Sequence, residues 1–157
     1  MSQRQTYFIE APVEEVFNWF KNPRNWSTLL ALNPAAARRE ELGDVHVSPE
    51  GVGTFYSWDM RPLPGLRFQP FVVCTEFVPN KRIVERWSVA FYGSYAYSFD
   101  PEGKGTRLTL QRHPRSFWRL RALDRLVDRL EGRSNERIMG RLKEVIESAH
   151  ASTRKSE

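Results

Sequence analysis

The chain has 157 residues, 40% hydrophobic and 27% charged, a balance that suits one folded domain at 1–150 with a polar tail at 151–157 and excludes a disordered or fibrous chain. No apolar run approaches the roughly 20 residues that span a bilayer. The N-terminus lacks the apolar stretch of a secretory leader and Cys74 stands alone, so the expected setting is cytoplasmic, with no disulfide and no cysteine-based metal cluster. The net charge of +5 resides wholly in residues 111–157, which hold 12 basic and 7 acidic side chains against 12 of each in residues 1–110.

The first strand is expected at 5–10, with Tyr7 and Ile9 on one face and Thr6 and Phe8 on the other. Pro12 opens a helix over 13–20, with Glu14 and Glu15 where the helix dipole favours acids and Val13, Val16, Phe17 and Phe20 forming one apolar side. Asn22-Pro23 stops it and begins a second short helix at 23–31, whose apolar side is Trp26, Leu29 and Leu30. Strands follow near 37–47, 53–61, 67–78, 82–92, 94–100 and 105–113. Their short connections require antiparallel pairing, since parallel strands need long crossovers.

Two turns nearly repeat, Pro49-Glu50-Gly51-Val52-Gly53-Thr54 and Pro101-Glu102-Gly103-Lys104-Gly105-Thr106, and each glycine pair is expected to supply the positive φ of a tight turn or bulge. Neither Gly-x-Gly opens a helix, so phosphate binding is excluded as their purpose. Pro79-Asn80-Lys81 makes a third turn, and Pro62-Leu63-Pro64-Gly65 is expected to form a loop near the mouth of a pocket.

From Ser116 to about Ala149 the period becomes helical, with Leu120, Leu123, Val127, Leu130, Ile138, Leu142 and Val145 on one stripe. Ser134, two residues after Gly132, interrupts the stripe with a small polar side chain. It leaves either space for a cavity opposite it or a local kink. Arg121, Arg125 and Arg129 alternate with Asp124, Asp128 and Glu131 at intrahelical pairing distance, so the basic excess reads as a solvated face and no nucleic-acid partner is expected. A weak contact with an anionic membrane surface stays open.

This order of elements resembles the helix-grip fold of the START-like (SRPBCC) superfamily, most closely its polyketide cyclase/dehydrase-like branch. The resemblance is carried by Ile9-Glu10-Ala11-Pro12-Val13-Glu14-Glu15-Val16-Phe17, Asn22-Pro23-Arg24-Asn25-Trp26, Gly51-Val52-Gly53-Thr54-Phe55-Tyr56-Ser57-Trp58, Thr75-Glu76-Phe77-Val78-Pro79-Asn80-Lys81-Arg82-Ile83 and Gly105-Thr106-Arg107-Leu108-Thr109. It implies an α+β domain in which a seven-stranded curved antiparallel sheet wraps a long C-terminal helix, with the two short helices closing one end. Members of that superfamily include lipid carriers, hormone receptors, quinone-binding proteins and aromatase/cyclases, so function must come from the site.

Strand alternation selects the site residues. Tyr56, Trp58, Tyr95, Tyr97, Phe99, Leu108, Leu110 and Arg112 are expected to face the helix, as are Ile83, Glu85, Trp87, Val89 and Phe91 from strand 82–92. Strand 67–78 is apolar on both faces and has no assigned orientation. Glu85 then lies within an apolar row, where burial raises a carboxyl pKa and fits it to move protons. Arg112 offers a two-pronged contact to a ligand carboxylate or enolate, and the bland alternative is a structural pair between Glu85 and an arginine. His46, His113 and His150 are scattered, and no nucleophile elbow, Rossmann or P-loop pattern occurs, so neither metal nor cofactor is expected. The leading expectation is a binder of an apolar or aromatic small molecule of polyketide, lipid or quinone type. Its rivals are a cofactor-independent cyclase or dehydratase with Glu85 as its catalytic group, and a lipid carrier working at a membrane surface.

Overall fold

A computed structural model describes residues 3–31, 40–88, 92–115 and 121–156 of the chain. Strand β1 (Gln3–Ile9) leads into helices α1 (Val13–Lys21) and α2 (Asn25–Ala31). Seven further strands follow: β2 (Glu40–His46), β3 (Phe55–Leu63), β4 (Leu66–Phe68), β5 (Phe71–Val78), β6 (Arg82–Ser88), β7 (Tyr92–Glu102) and β8 (Gly105–Arg115). Helix α3 (Arg121–Ser156) ends the chain. One antiparallel sheet runs in the order β1-β8-β7-β6-β5-β3-β2, seven strands as the sequence predicts, with three-residue β4 attached to the side of β3.

The eighth strand comes from a break in the segment expected as one strand at 67–78. Pro70 has no N–H to donate, so pairing stops there, although its carbonyl still accepts the Trp58 N–H at 3.0 Å. Pro62 and Leu63 belong to β3 instead of a loop, and only Pro64-Gly65, with Gly65 at φ 80°, turns the chain into β4. Gly93 lies inside β7 and not between strands, because β6 ends at Ser88 and β7 begins at Tyr92.

The paired glycines do not all serve the expected purpose. Gly51, Gly53 and Gly103 have positive φ, but Gly105 does not. At Gly105 the constraint is space, since a Cβ there would collide with the Ile9 carbonyl and the Phe8 ring of neighbouring β1. Asn80 takes the left-handed conformation at φ 56° and makes the β5–β6 turn.

Between sheet and helices lies a core of Ile9, Val16, Phe17, Phe20, Leu29, Ile83, Phe99, Leu108, Leu110, Met139, Leu142 and Ile146. Helix α3 buries Met139, Leu142 and Ile146, with Ile138 and Val145 on the flanks, so the stripe is centred about one residue from the predicted line. The side chains of 116–135 lie outside the described residues, and so do Ser134, the Arg121 to Glu131 pairs and the upper stripe from Leu120 to Leu130. The same holds for Leu30, Val89, Phe91 and residues 37–39. Helix α3 also continues past the predicted end at Ala149, where the Ser152 and Thr153 hydroxyls donate to the carbonyls of Ser148 and Ala149.

Three long-range bonds close the end of the sheet nearest α1. The Thr106 hydroxyl donates to the Ala11 carbonyl at 2.7 Å, the Glu10 N–H donates to Glu147 Oε1 at 2.7 Å, and His150 Nδ1 meets the Glu15 carboxylate at 2.9 Å. They bind β1, α1 and α3 into one unit, which holds the helix against the concave face of the sheet.

Candidate functional site

Strand pairing determines which residues share a row on that concave face. Cys74, Glu85, Tyr95 and Arg112 are directly opposite one another across β5, β6, β7 and β8. The next row toward α1 holds Phe77, Ile83, Tyr97 and Leu110. Along β6 and β8 the chain therefore passes from apolar to charged within two residues, from Ile83 to Glu85 and from Leu110 to Arg112.

Glu85 is the pivot of the site. It is only 6% exposed and lies between Ile83 and Trp87 on the buried side of β6. The Tyr56 hydroxyl reaches across β5 and donates to Glu85 Oε2 at 3.1 Å. A carboxylate has about four lone-pair positions, and this bond is the one Glu85 makes among the described residues. Burial raises its pKa to about 7, and the Tyr56 bond only partly opposes that rise. Its charge reaches its neighbours in turn. The Tyr56 and Tyr97 hydroxyls are pushed up, first by burial and then by Glu85, and the Cys74 thiol is pushed up to about 11 by the same two causes.

Aromatic rings extend from this carboxyl group. Trp87 stacks on Tyr95 at 6.2 Å and Tyr95 on Tyr97 at 6.3 Å, with interplanar angles of 29° and 28°. Tyr56 meets Trp58 edge-on at 6.1 Å. Arg112, 2% exposed, carries its guanidinium 6.0 Å from the centre of the Trp87 ring, a cation–π contact. The hydrogen-bond partner of Glu85 among the described residues is Tyr56.

Of the residues singled out from sequence, Glu85, Tyr56, Trp58, Trp87, Tyr95, Tyr97 and Arg112 thus come together. Phe99, Leu108 and Leu110 belong to the core, where Phe99 lies 5.3 Å from both Phe17 and Phe20. Sequence reasoning missed two members. Cys74 sits opposite Glu85, but its strand could not be oriented because both faces are apolar. Gly93 pairs with Trp87, and a Cβ at position 93 would run into the indole ring. The available signal was a glycine inside the aromatic run Tyr92-Gly93-Ser94-Tyr95. Among the described residues no three His, Cys, Asp or Glu converge as metal ligands. Chemically, the arrangement offers a carboxyl group that takes or gives a proton near neutrality beside flat ring surfaces.

Comparison with known proteins places these features in context. The family described as Activator of Hsp90 ATPase homolog 1-like protein matches residues 10–147. A structure from Nitrosomonas europaea superposes with a TM-score of 0.71 at 15% identity, covering 95% of this chain and 96% of that one. One from Thermus thermophilus gives 0.68 at 22% identity over 95% and 99% of the two chains. A protein of unknown function from Staphylococcus aureus gives 0.68 at 13% identity over 95% and 94%. At these identities the likeness is one of fold. No curated protein matches the sequence.

Proposed function

Since the chain belongs to the Activator of Hsp90 ATPase homolog 1-like family, within the START-like (SRPBCC) superfamily, we propose that it binds an apolar or aromatic small molecule between its sheet and α3. Polyketides, lipids and quinones are the candidate classes. The observation that carries this reading is the buried Glu85–Tyr56 pair set among Trp87, Tyr95 and Tyr97. A core built only for stability gains nothing from a buried carboxyl group, because its ionised form is costly to bury. A ligand that brings a polar group to Glu85 and a flat apolar body to the rings would use both features. The test is titration with fatty acids, quinones and aromatic polyketide analogues, followed by tryptophan fluorescence. Saturable quenching that Trp58→Ala and Tyr56→Phe both weaken supports the reading. Absence of saturation with every class overturns it.

A second reading is favoured by the Glu85 pKa of about 7, which suits a group that moves protons at neutral pH. In that reading the protein is a cofactor-independent cyclase or dehydratase, in which the rings hold a reactive chain and Glu85 exchanges its proton. Positioning supplies most of the acceleration in such chemistry. Glu85→Gln separates the readings, because an enzyme loses turnover while retaining affinity and a pure binder changes in affinity alone.

A further inference from the structure

The convex face of the sheet carries its own depression, about 560 Å³ in volume and open to solvent, at the end where β6 and β7 meet. Phe71 and Val73 of β5, Arg86 and Ser88 of β6, Ser94 of β7 and His113 of β8 line it, and Trp87 and Gly93 form its border with the concave site. Val73, Arg86, Ser94 and His113 form one cross-strand row, and Phe71 faces Ser88 in the next row. Alternation turns this row away from Glu85, Tyr95 and Arg112, which occupy the neighbouring positions of the same strands.

Its surface is apolar on one side and cationic on the other. Phe71 is 55% exposed and Val73 39%, and Phe55 of β3, opposite Val73, is also 39% exposed. Apolar groups exposed together inside a concavity mark a binding surface more often than scattered ones do. The ionisable side chains of the lining are Arg86 and His113, with no carboxylate among them. Both are exposed, and neither makes an ion pair or hydrogen bond among the described residues. Elsewhere on the sheet Arg82 is held by Glu76 at 3.0 Å and Arg107 by Glu102 at 2.8 Å. Asp59, two positions along β3 from the partner of Phe71, is already held by Arg61 and Arg67.

We propose that this depression binds a small amphipathic organic anion, an aromatic or aliphatic carboxylate whose head group meets Arg86 and whose body lies on Phe71 and Val73. The planar guanidinium matches a carboxylate through two parallel N–H bonds. Ser88 and Ser94 flank it with hydroxyl donors, and His113 stands two strands away, roughly 10 Å at the usual strand spacing. Glu85 and Arg86 point to opposite faces of β6, so the charged groups of the two sites are separate, while Trp87 borders both.

Calorimetric titration of the intact protein with 2-naphthoate, against the neutral 2-naphthylmethanol, tests the proposal. The anion is expected to bind more tightly, and Arg86→Gln to weaken it by about tenfold or more, the size of one charge-assisted hydrogen bond, while leaving the neutral analogue unchanged. Phe71→Ser should weaken both compounds. Both positions are exposed, so the variants keep the fold, which circular dichroism checks. Unchanged naphthoate affinity in Arg86→Gln overturns the proposal, and so does equal affinity of wild type for the two compounds. Phosphatidylglycerol vesicles are the further control: if Arg86→Gln releases the protein from vesicles but leaves naphthoate binding intact, a lipid surface is the occupant and the proposal falls.

Discussion

The two ends of the concave face are made from the same strands, yet they are built on different terms. Toward α1, Phe17, Phe20 and Phe99 meet edge to face at 5.3 Å, and Ile9, Leu108 and Leu142 are wholly buried beside them. Toward Glu85 the rings of Trp87, Tyr95 and Tyr97 are spaced at 6.2 and 6.3 Å, the two tyrosines carry hydroxyls, and a carboxyl group and a guanidinium lie beside them. Along β7 the change runs from Phe99 through Tyr97 to Tyr95, and along β8 from Leu108 through Leu110 to Arg112. One end concentrates packing energy. The other keeps ionisable groups under cover, at a cost in desolvation.

The largest expected break in this contrast is at the packed end. Leu142→Ala should cost about 2–5 kcal/mol by urea denaturation, the range for a fully buried leucine that leaves a cavity. A loss below about 1 kcal/mol would mean that the packed end is not the stabilising one.

The polar end should reveal itself through pH. A carboxyl that titrates at about 7 when folded and near 4.5 when unfolded holds its proton more tightly in the native state. Its contribution is therefore fully present below pH 4.5 and is lost as pH rises through about 7, a change of roughly 3 kcal/mol. Glu85→Gln should match wild type near pH 4 and exceed it at pH 8 by up to that amount. Denaturation curves at the two pH values decide this, and an unchanged pH dependence in the variant would locate the effect elsewhere.

A finer probe is Gly93→Ala. The added methyl has to displace the Trp87 ring, at about 1–3 kcal/mol for an overpacked site, and near-ultraviolet circular dichroism should record the loss of the Trp87–Tyr95 stack. The smallest effect is expected outside both ends. Glu15→Gln removes the charge opposite His150 and should cost at most about 1 kcal/mol, as for a partly exposed polar contact.

The sheet, the two short helices and the long C-terminal helix were legible because each rests on local periodicity and on turns of strong chemistry. The Glu85 row was legible in part, since Ile83, Glu85 and Trp87 alternate with Arg82, Arg86 and Ser88, although apolar Val84 left a one-residue slip open. What was not legible depended on distant partners. Nothing near Gly105 announces that β1 would press against it, and nothing in the segment 67–78 says which side Cys74 takes. The hydrogen bond from Tyr56 to Glu85 joins residues 29 apart in sequence across an intervening strand, and no spacing rule foretells it. Met139 and Ile146 were missed because the helical stripe was anchored on Leu120 and Leu130, and a small error in phase displaces the buried line by one residue.

The pairing of β1 with β8 has a consequence for how the chain is made. Gln3 faces Arg112 and Ile9 faces Thr106, so β1 has to wait for about a hundred further residues of synthesis before its partner exists. During synthesis β2 to β7 can pair hairpin by hairpin, while β1 remains an unmatched ribbon with Tyr7, Phe8 and Ile9 on it. Once β8 emerges, β1 finds its partner and the sheet acquires its last edge. A chain deprived of β1 would leave β8 with a long row of unpaired N–H and C=O groups, an open template for pairing with another copy.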